Sequence, residues 1–279
     1  MASQEETGRA YEYELGHSDR EVKRLWIQAQ LVDPFTRQFF RDAGVAQGMR
    51  VLDVGSGAGD TALVVADIVG ASGEVLGIDR APLAVAAAQS RIKSLGKLNI
   101  SFRQGDLDIL EVAETFDAVV GRYVLVFNPN PAAMLRTAAR LVRPGGVIAF
   151  HEPDWNGSRS NPVAPLYERC SDWIVRTFKK VGTNPYMGQE LHSAFVRAGI
   201  PAPSMALRAL IGGPSKDVGY VDLIAELAIT MAPVMEEQGV IARGEIDPAN
   251  FRRQMLAEVQ RLGSVVVGRS EIGVWSRMP

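Results

Sequence analysis

Apolar positions along the chain follow two periods in turn. Short runs of aliphatic and β-branched residues fall at Val51-Leu52-Asp53-Val54, Glu74 to Asp79, Asn99 to Arg103, Phe116 to Val120 and Val147 to Phe150. Such runs suit strands buried on both faces. Between them, apolar residues recur three and four apart, the spacing of amphipathic helices. Helices are predicted through Ala62, Leu63, Val65, Ala66 and Ile68, over Pro82 to Leu95, where Gly96 stops the helix, and over Pro131 to Leu141. Asp60 or Thr61 is the expected cap of the first, and Arg143-Pro144-Gly145-Gly146 is an expected turn. Strands alternating with helices predict an α/β protein built on a parallel sheet.

The flanks differ. Residues 1 to about 18 are polar but carry Tyr11, Tyr13, Leu15 and His17. Asp19 is positioned to cap a helix from Arg20 to Leu31, with Val22, Leu25, Trp26 and Ala29 on one face, and Asp33-Pro34 to open a second from Phe35 to Ala43, closed by Gly44. After Trp155, helices are predicted from about Pro165 to Val181 and Gly188 to Ala198, then a sixth strand from Met205 to Ile211. Two more helices, roughly Val218 to Glu237 and Pro248 to Leu262, precede a last strand near Ile272 to Ser276.

The first strand runs straight into Gly55-Ser56-Gly57-Ala58-Gly59-Asp60. Glycine takes positive φ and lacks a Cβ, so a ligand can lie against this backbone, near the free N–H groups of the following helix. A dinucleotide fingerprint needs a third glycine three places after the second. This spacing differs, and Asp60 would repel a pyrophosphate; it suits a ligand carrying an amine and a sulfonium, as does Asp53. No Gly-Lys-Ser/Thr follows, which excludes a P-loop. Asp79 ends the second strand where α/β nucleotide sites place a carboxylate on ribose hydroxyls.

Leu52-Asp53-Val54-Gly55-Ser56-Gly57-Ala58-Gly59 resembles the first motif of class I S-adenosylmethionine-dependent methyltransferases. The rest of that family's pattern follows in order from Met49 to about Asp154, and it most resembles the bacterial small-molecule group related to quinone-ring methyltransferases. The resemblance implies S-adenosyl-L-methionine as cofactor. It also implies a doubly wound, Rossmann-like, mostly parallel seven-stranded sheet with helical N-terminal and C-terminal cover. The corresponding division is 1–44 as a helical cap, 45–217 as the cofactor-binding core, 218–263 as an inserted helical lid and 264–279 as the core's last strand. Asp53, Gly55, Ser56, Gly57 and Gly59 are then expected to cradle the cofactor. Asp79 would meet its ribose, with Arg80 a further cofactor contact, Asp106 its adenine amino group, and Leu107 the ring face. Gly121-Arg122-Tyr123 would lie near the transferable methyl. Tyr11, Tyr13, His17 and Trp155 are the candidate acceptor contacts.

Transfer of a methyl from a sulfonium is an in-line displacement on an already activated donor, so alignment and exclusion of water are the main demands. A base helps when the acceptor is a hydroxyl. His151, one of three histidines, ends the fifth strand and is the candidate base. Its neighbour Glu152 must point to the opposite face, so at most one of them is expected to face a pocket. Arg122 is the candidate for orienting an anionic acceptor or the cofactor carboxylate. The Asn/Asp-Pro-Pro-Tyr signature of base-amino methyltransferases is missing after strand four. Arsenic methylation would need several thiols, and no acid marks the metal site of catechol methyltransferases, so no metal is expected.

Composition narrows the partners. With 30 Lys+Arg against 32 Asp+Glu in 279 residues, and no basic stripe, nucleic acid is not an expected partner. The single cysteine, Cys170, excludes an internal disulfide. No leader pattern and no membrane-length apolar run stands out, so the expectation is a soluble cytoplasmic protein acting on a small-molecule acceptor. Met231, Met235, Phe251 and Met255 suit a core or an adaptable acceptor pocket, and a homodimer interface would explain them equally well. The expected activity is methylation of oxygen, less so of carbon or nitrogen, in an aromatic or secondary metabolite. Two competing readings are a protein that binds the cofactor without transferring its methyl and a nicotinamide-dependent reductase, the latter disfavoured by the glycine spacing and Asp60.

Overall fold

The computed structural model describes residues 19–110, 115–214 and 219–279, so Tyr11, Tyr13 and His17 lie outside it. Five strands run parallel: β1 (Arg50–Val54), β2 (Glu74–Asp79), β3 (Ile100–Gln104), β4 (Phe116–Arg122) and β5 (Val142–Asp154). They stand in the order β3-β2-β1-β4-β5, with β1 at the switch point. Their crossovers are α2 (Asp60–Val69), α3 (Pro82–Ser94) and α4 (Pro131–Arg140). Alternation along β1 divides the core. Val51 packs with Val65, Val75 and Val120 on one face, while Leu52 and Val54 pack with Ile78, Val119 and Phe150 on the other.

The remaining strands close the far edge. β8 (Val265–Arg277) runs antiparallel to β5 along one side and to β7 (Ser204–Gly212) along the other. A short β6 (Arg159–Asn161) pairs with Val265, Val266 and Val267 of β8. Because β7 takes the other side there, β6 continues the track that β5 leaves at Asp154. Eight strands therefore occupy seven positions. The interruption between β5 and β6 is a turn at Trp155–Gly157, where the Asp154 side chain accepts the Asn156 amide.

Several local expectations shift. The N-terminal pair of helices is one, α1 (Asp19–Ala43), running through Pro34. Proline removes one helical hydrogen bond, but Val32, Phe39 and Phe40 behind it are fully or almost fully buried, and packing sustains the helix. Asp33 is free from capping and pairs with Arg122 instead. At α2 the cap is Gly59, with no side-chain bond, because Asp60 turns to Arg91. β4 runs two residues past its expected end, and β5 takes in both the expected turn at 143–146 and residues 151–154.

α5 (Pro165–Lys180) and α6 (Met187–Arg197) follow β6, and α7 (Gly219–Glu237) and α8 (Phe251–Leu262) lie between β7 and β8. Met231, Met235, Phe251 and Met255 are all buried in one cluster with Tyr167, Ile174 and Ile224, so the chain's own core accounts for them without a second protomer. Among the described residues no helix is long and apolar enough to cross a membrane.

Candidate functional site

The carboxyl ends of β1, β2, β4 and β5, with the segment following β3, surround a cavity of about 1230 Å³. That is ample for a nucleoside-sized ligand plus a small second molecule. One wall is the glycine loop. Gly55 sits at φ 66°, and a Cβ there would stand 2.5 Å from Val124 Cγ2, so only glycine lets the β1 and β4 loops approach this closely. Gly57 and Gly59 also hold positive φ. The Asp79 carboxylate accepts the Gly57 amide at 2.8 Å and the Ala81 amide at 2.9 Å, tying the loop to the tip of β2 while lining the cavity. Ser56 lines the same wall, and its Oγ is buried without a hydrogen-bond partner among the described residues.

Asp106 and Leu107 lie further along. Arg80 reaches Asp106 at 2.6 Å. Partial burial opposes ionisation of Asp106, but that guanidinium and the Asp108 amide outweigh it and hold the carboxyl below its ordinary range. Asp53 is different: it lies behind the loop, fully buried, and neither carboxylate oxygen has a hydrogen-bond partner among the described residues. Burial pushes it up to about 8, against the pull of Arg122 and with Asp79 and Asp60 adding to the rise. It is therefore mainly protonated at pH 7 and does not line the cavity, so it does not cradle a ligand as the sequence suggests.

A buried polar chain backs the opposite wall. Arg122 donates to Asp33 at 2.6 Å and to Thr36 Oγ1 at 2.9 Å. Thr36 Oγ1 lies 3.0 Å from His151 Nδ1, and His151 Nε2 lies 2.9 Å from Glu271 Oε2. Glu271 also accepts Tyr123 Oη at 2.7 Å and Arg269 Nε at 2.9 Å. Burial opposes its charge, yet Arg269 and the bonds from His151 and Tyr123 hold it down at about 2. Burial pushes His151 the other way, toward the neutral form. An ionised Glu271 favours the tautomer with the proton on Nε2, and Nδ1 then faces the Thr36 hydroxyl, whose single proton also has the Val32 carbonyl oxygen within reach at 3.2 Å.

His151 is thus fully buried, committed at both nitrogens and not on the cavity wall. It is placed to orient its neighbours and not to take a proton from a molecule in the cavity, which departs from the role expected of it. Glu152 faces the other side, as strand alternation requires, and also misses the cavity. Its carboxylate collects the amides of Val124, Leu125 and Val126 at 3.0, 2.8 and 3.2 Å. That brace holds the turn in which Tyr123 adopts φ 55°, the one positive φ outside glycine among the described residues. Strain of this kind costs about 1–3 kcal/mol and clusters at functional sites. Here it accompanies a ring that lines the cavity.

Trp155, expected from sequence, forms part of this wall, edge-on to Phe178 at 6.1 Å between ring centres. Leu227 of α7 and Arg269 of β8 complete it. Thr36, Phe178, Leu227, Arg269 and Glu271 had not been expected. One sequence signal was available: Arg269 and Glu271 are two apart inside the apolar run from Val265 to Val274, hence on one face of a strand.

Residues 46–199, more than half of the chain, match a family model described as a methyltransferase domain. Among curated relatives, the arsenite methyltransferase of Aquipseudomonas alcaligenes is 41% identical over 113 residues, 38% of this chain and 33% of that protein. The demethylmenaquinone methyltransferase of Lactococcus lactis is 28% identical over 62% of this chain and 64% of its own length. The aklanonic acid methyltransferase DauC of a Streptomyces species is 35% identical over 46% of this chain and 58% of its own. The chain thus spans less than two thirds of the length of each. Solved structures of similar fold include the [4+2]-cyclase SpnF, with TM-score 0.54 and 20% identity over 90% of this chain and 82% of that one. Another is geranyl diphosphate methyltransferase in complex with S-adenosylmethionine, with TM-score 0.53 and 12% identity over 95% and 94%.

Proposed function

The chain belongs to the S-adenosylmethionine-dependent methyltransferase family, and on that premise we propose that it methylates a small organic molecule, on oxygen before carbon or nitrogen. One observation carries the reading: the glycine loop, Asp79 and Asp106 converge on a single cavity wall, and aromatic side chains form the wall beyond them. When bound, S-adenosylmethionine supplies a methyl on a positively charged sulfur, which leaves as a thioether. The residues present fit it. The loop offers backbone where a Cβ is excluded, Ser56 offers an unused hydroxyl, and Asp79 and Asp106 offer acceptors for a sugar and an amino group. Arg122, held by Asp33 and Thr36, lines the same cavity and would orient an anionic acceptor or the cofactor carboxylate. Tyr123, Trp155, Phe178 and Leu227 exclude water from the transfer line.

The relatives' acceptors differ among themselves, and arsenite suits this chain poorly, since Cys170 is its one cysteine and is fully buried. The expected result is micromolar binding of S-adenosylmethionine by calorimetry, weakened at least about tenfold by Asp79→Ala, or about 1.4 kcal/mol. Undiminished binding by that variant, or none by wild type, would count against the proposal. Binding without S-adenosylhomocysteine release across an acceptor panel would favour a non-methylating role of the same fold.

A further inference from the structure

On the acceptor side, Arg269 is set unlike any other charged group of the cavity. It is 4% exposed and lies between two rings, its Cζ 5.2 Å from the Tyr123 ring centre and 5.5 Å from that of Trp155. Its Nε donates to Glu271 and its Nη2 to Tyr123 Oη at 3.0 Å, while Nη1 has no hydrogen-bond partner among the described residues. A guanidinium carries five N–H donors in a rigid fork, and an unused arm at a cavity wall is a ready partner for an oxyanion.

Among the described residues the same wall holds no free base. His151 is engaged at both nitrogens behind it, and Glu271 already accepts from His151, Tyr123 and Arg269. The Tyr123 phenol is pushed up by burial and donates to Glu271. The nearby lining groups Trp155, Phe178 and Leu227 are apolar or aromatic, and Thr183 brings a hydroxyl that does not act as a base near neutral pH. A wall with a fixed cation, flat rings and, among the described residues, nothing to remove a proton matches an acceptor that arrives already deprotonated.

Resting on the methyltransferase reading above, we infer that the acceptor is a flat conjugated oxyanion, a carboxylate or an acidic phenolate, and that Arg269 is the residue that selects and orients it. The acceptor oxygen forms a bond to the methyl carbon as the carbon–sulfur bond breaks and its electron pair stays on sulfur. No proton leaves, and the product is a neutral ester or aryl ether. Loss of the anion on methylation weakens its hold on Arg269 and favours release.

Calorimetry on the full chain saturated with S-adenosylhomocysteine tests this. Benzoate is compared with benzamide for the carboxylate arm, and ionised 4-nitrophenolate with nitrobenzene for the phenolate arm. At least one oxyanion has to bind about tenfold more tightly than its neutral partner; Glu271 shares the charge of Arg269, so a much larger ratio is not expected. In the double variant Arg269→Gln/Glu271→Gln, which leaves no buried charge unpaired, that preference has to fall below threefold while S-adenosylhomocysteine affinity holds. If the double variant does not fold, Thr183→Asp, which places an anion on the cavity wall, has to weaken the preferred oxyanion at least tenfold. No preference in wild type, no binding of any probe, or a preference that survives these changes overturns the inference. Failure of S-adenosylhomocysteine itself to bind overturns the methyltransferase reading, and the inference with it.

Discussion

Asp53 shows how one residue's environment sets its behaviour. Its carboxyl ionises near 4 in an unfolded chain and at about 8 when folded, because burial disfavours the charge. The folded state therefore holds a proton that the unfolded state has lost, and stability present below pH 4 drains away as pH rises toward 8. Between pH 6.5 and 8 the loss due to this group is about 1–2 kcal/mol. Urea unfolding at the two pH values checks it: Asp53→Asn removes that share of the slope, and an unchanged slope would place the charge elsewhere. Glu152, pushed up to about 8 by burial against the pull of its three amide bonds, adds a comparable share to the same slope, whereas His151, shifted below its ordinary value, stays neutral in the folded state and Glu271, at about 2, stays ionised. His151→Gln is expected to lower turnover without moving the pH profile, since the imidazole supports Tyr123 and Arg122 through other groups. A lost acid limb would restore it as the base. Residue types at these positions were legible in sequence; the engagement of both imidazole nitrogens was not, because Thr36 and Glu271 lie 115 and 120 residues away.

At the scale of elements, the turn after β4 depends on one carboxylate. Glu152 satisfies three consecutive amides that no strand or helix would otherwise bind. Glu152→Gln keeps one carbonyl acceptor and turns the other position into a donor facing an amide. A loss of about 2 kcal/mol in denaturant unfolding is expected, together with weaker cofactor binding, because Tyr123 and Val124 lose their anchor. No loss would mean that the turn holds itself. The strands and their partners were readable from period and glycines, and their ends were not. Pro34 reads as a helix break, yet α1 continues because Phe39 and Phe40 are buried on the sheet. A hydrophobic anchor of that size outweighs one missing hydrogen bond.

For the whole molecule, the cavity joins elements far apart in the chain: α1, the tips of the central strands, α5, α7 and β8. A ligand that bridges them binds only the folded state. S-adenosylhomocysteine at a hundred times its dissociation constant is expected to add about 2.7 kcal/mol, a rise of roughly 5–10 °C in the melting midpoint. A scan with and without the compound measures it, and Asp79→Ala at the same concentration should show little of the shift.

Order along the chain was enough to establish the α/β class, the cofactor wall and the carboxylates on it, because these residues sit beside one another at strand ends and their spacing follows from the backbone. The acceptor wall is another matter. Tyr123, Trp155, Leu227 and Arg269 come from four separate segments, two of them beyond the stretch that matches the family. Only folding brings Glu271 against His151, leaves Arg269 with one arm unused, and turns the expected base into a support. Which charges meet in a buried space depends on packing between distant segments, and no local pattern encodes that.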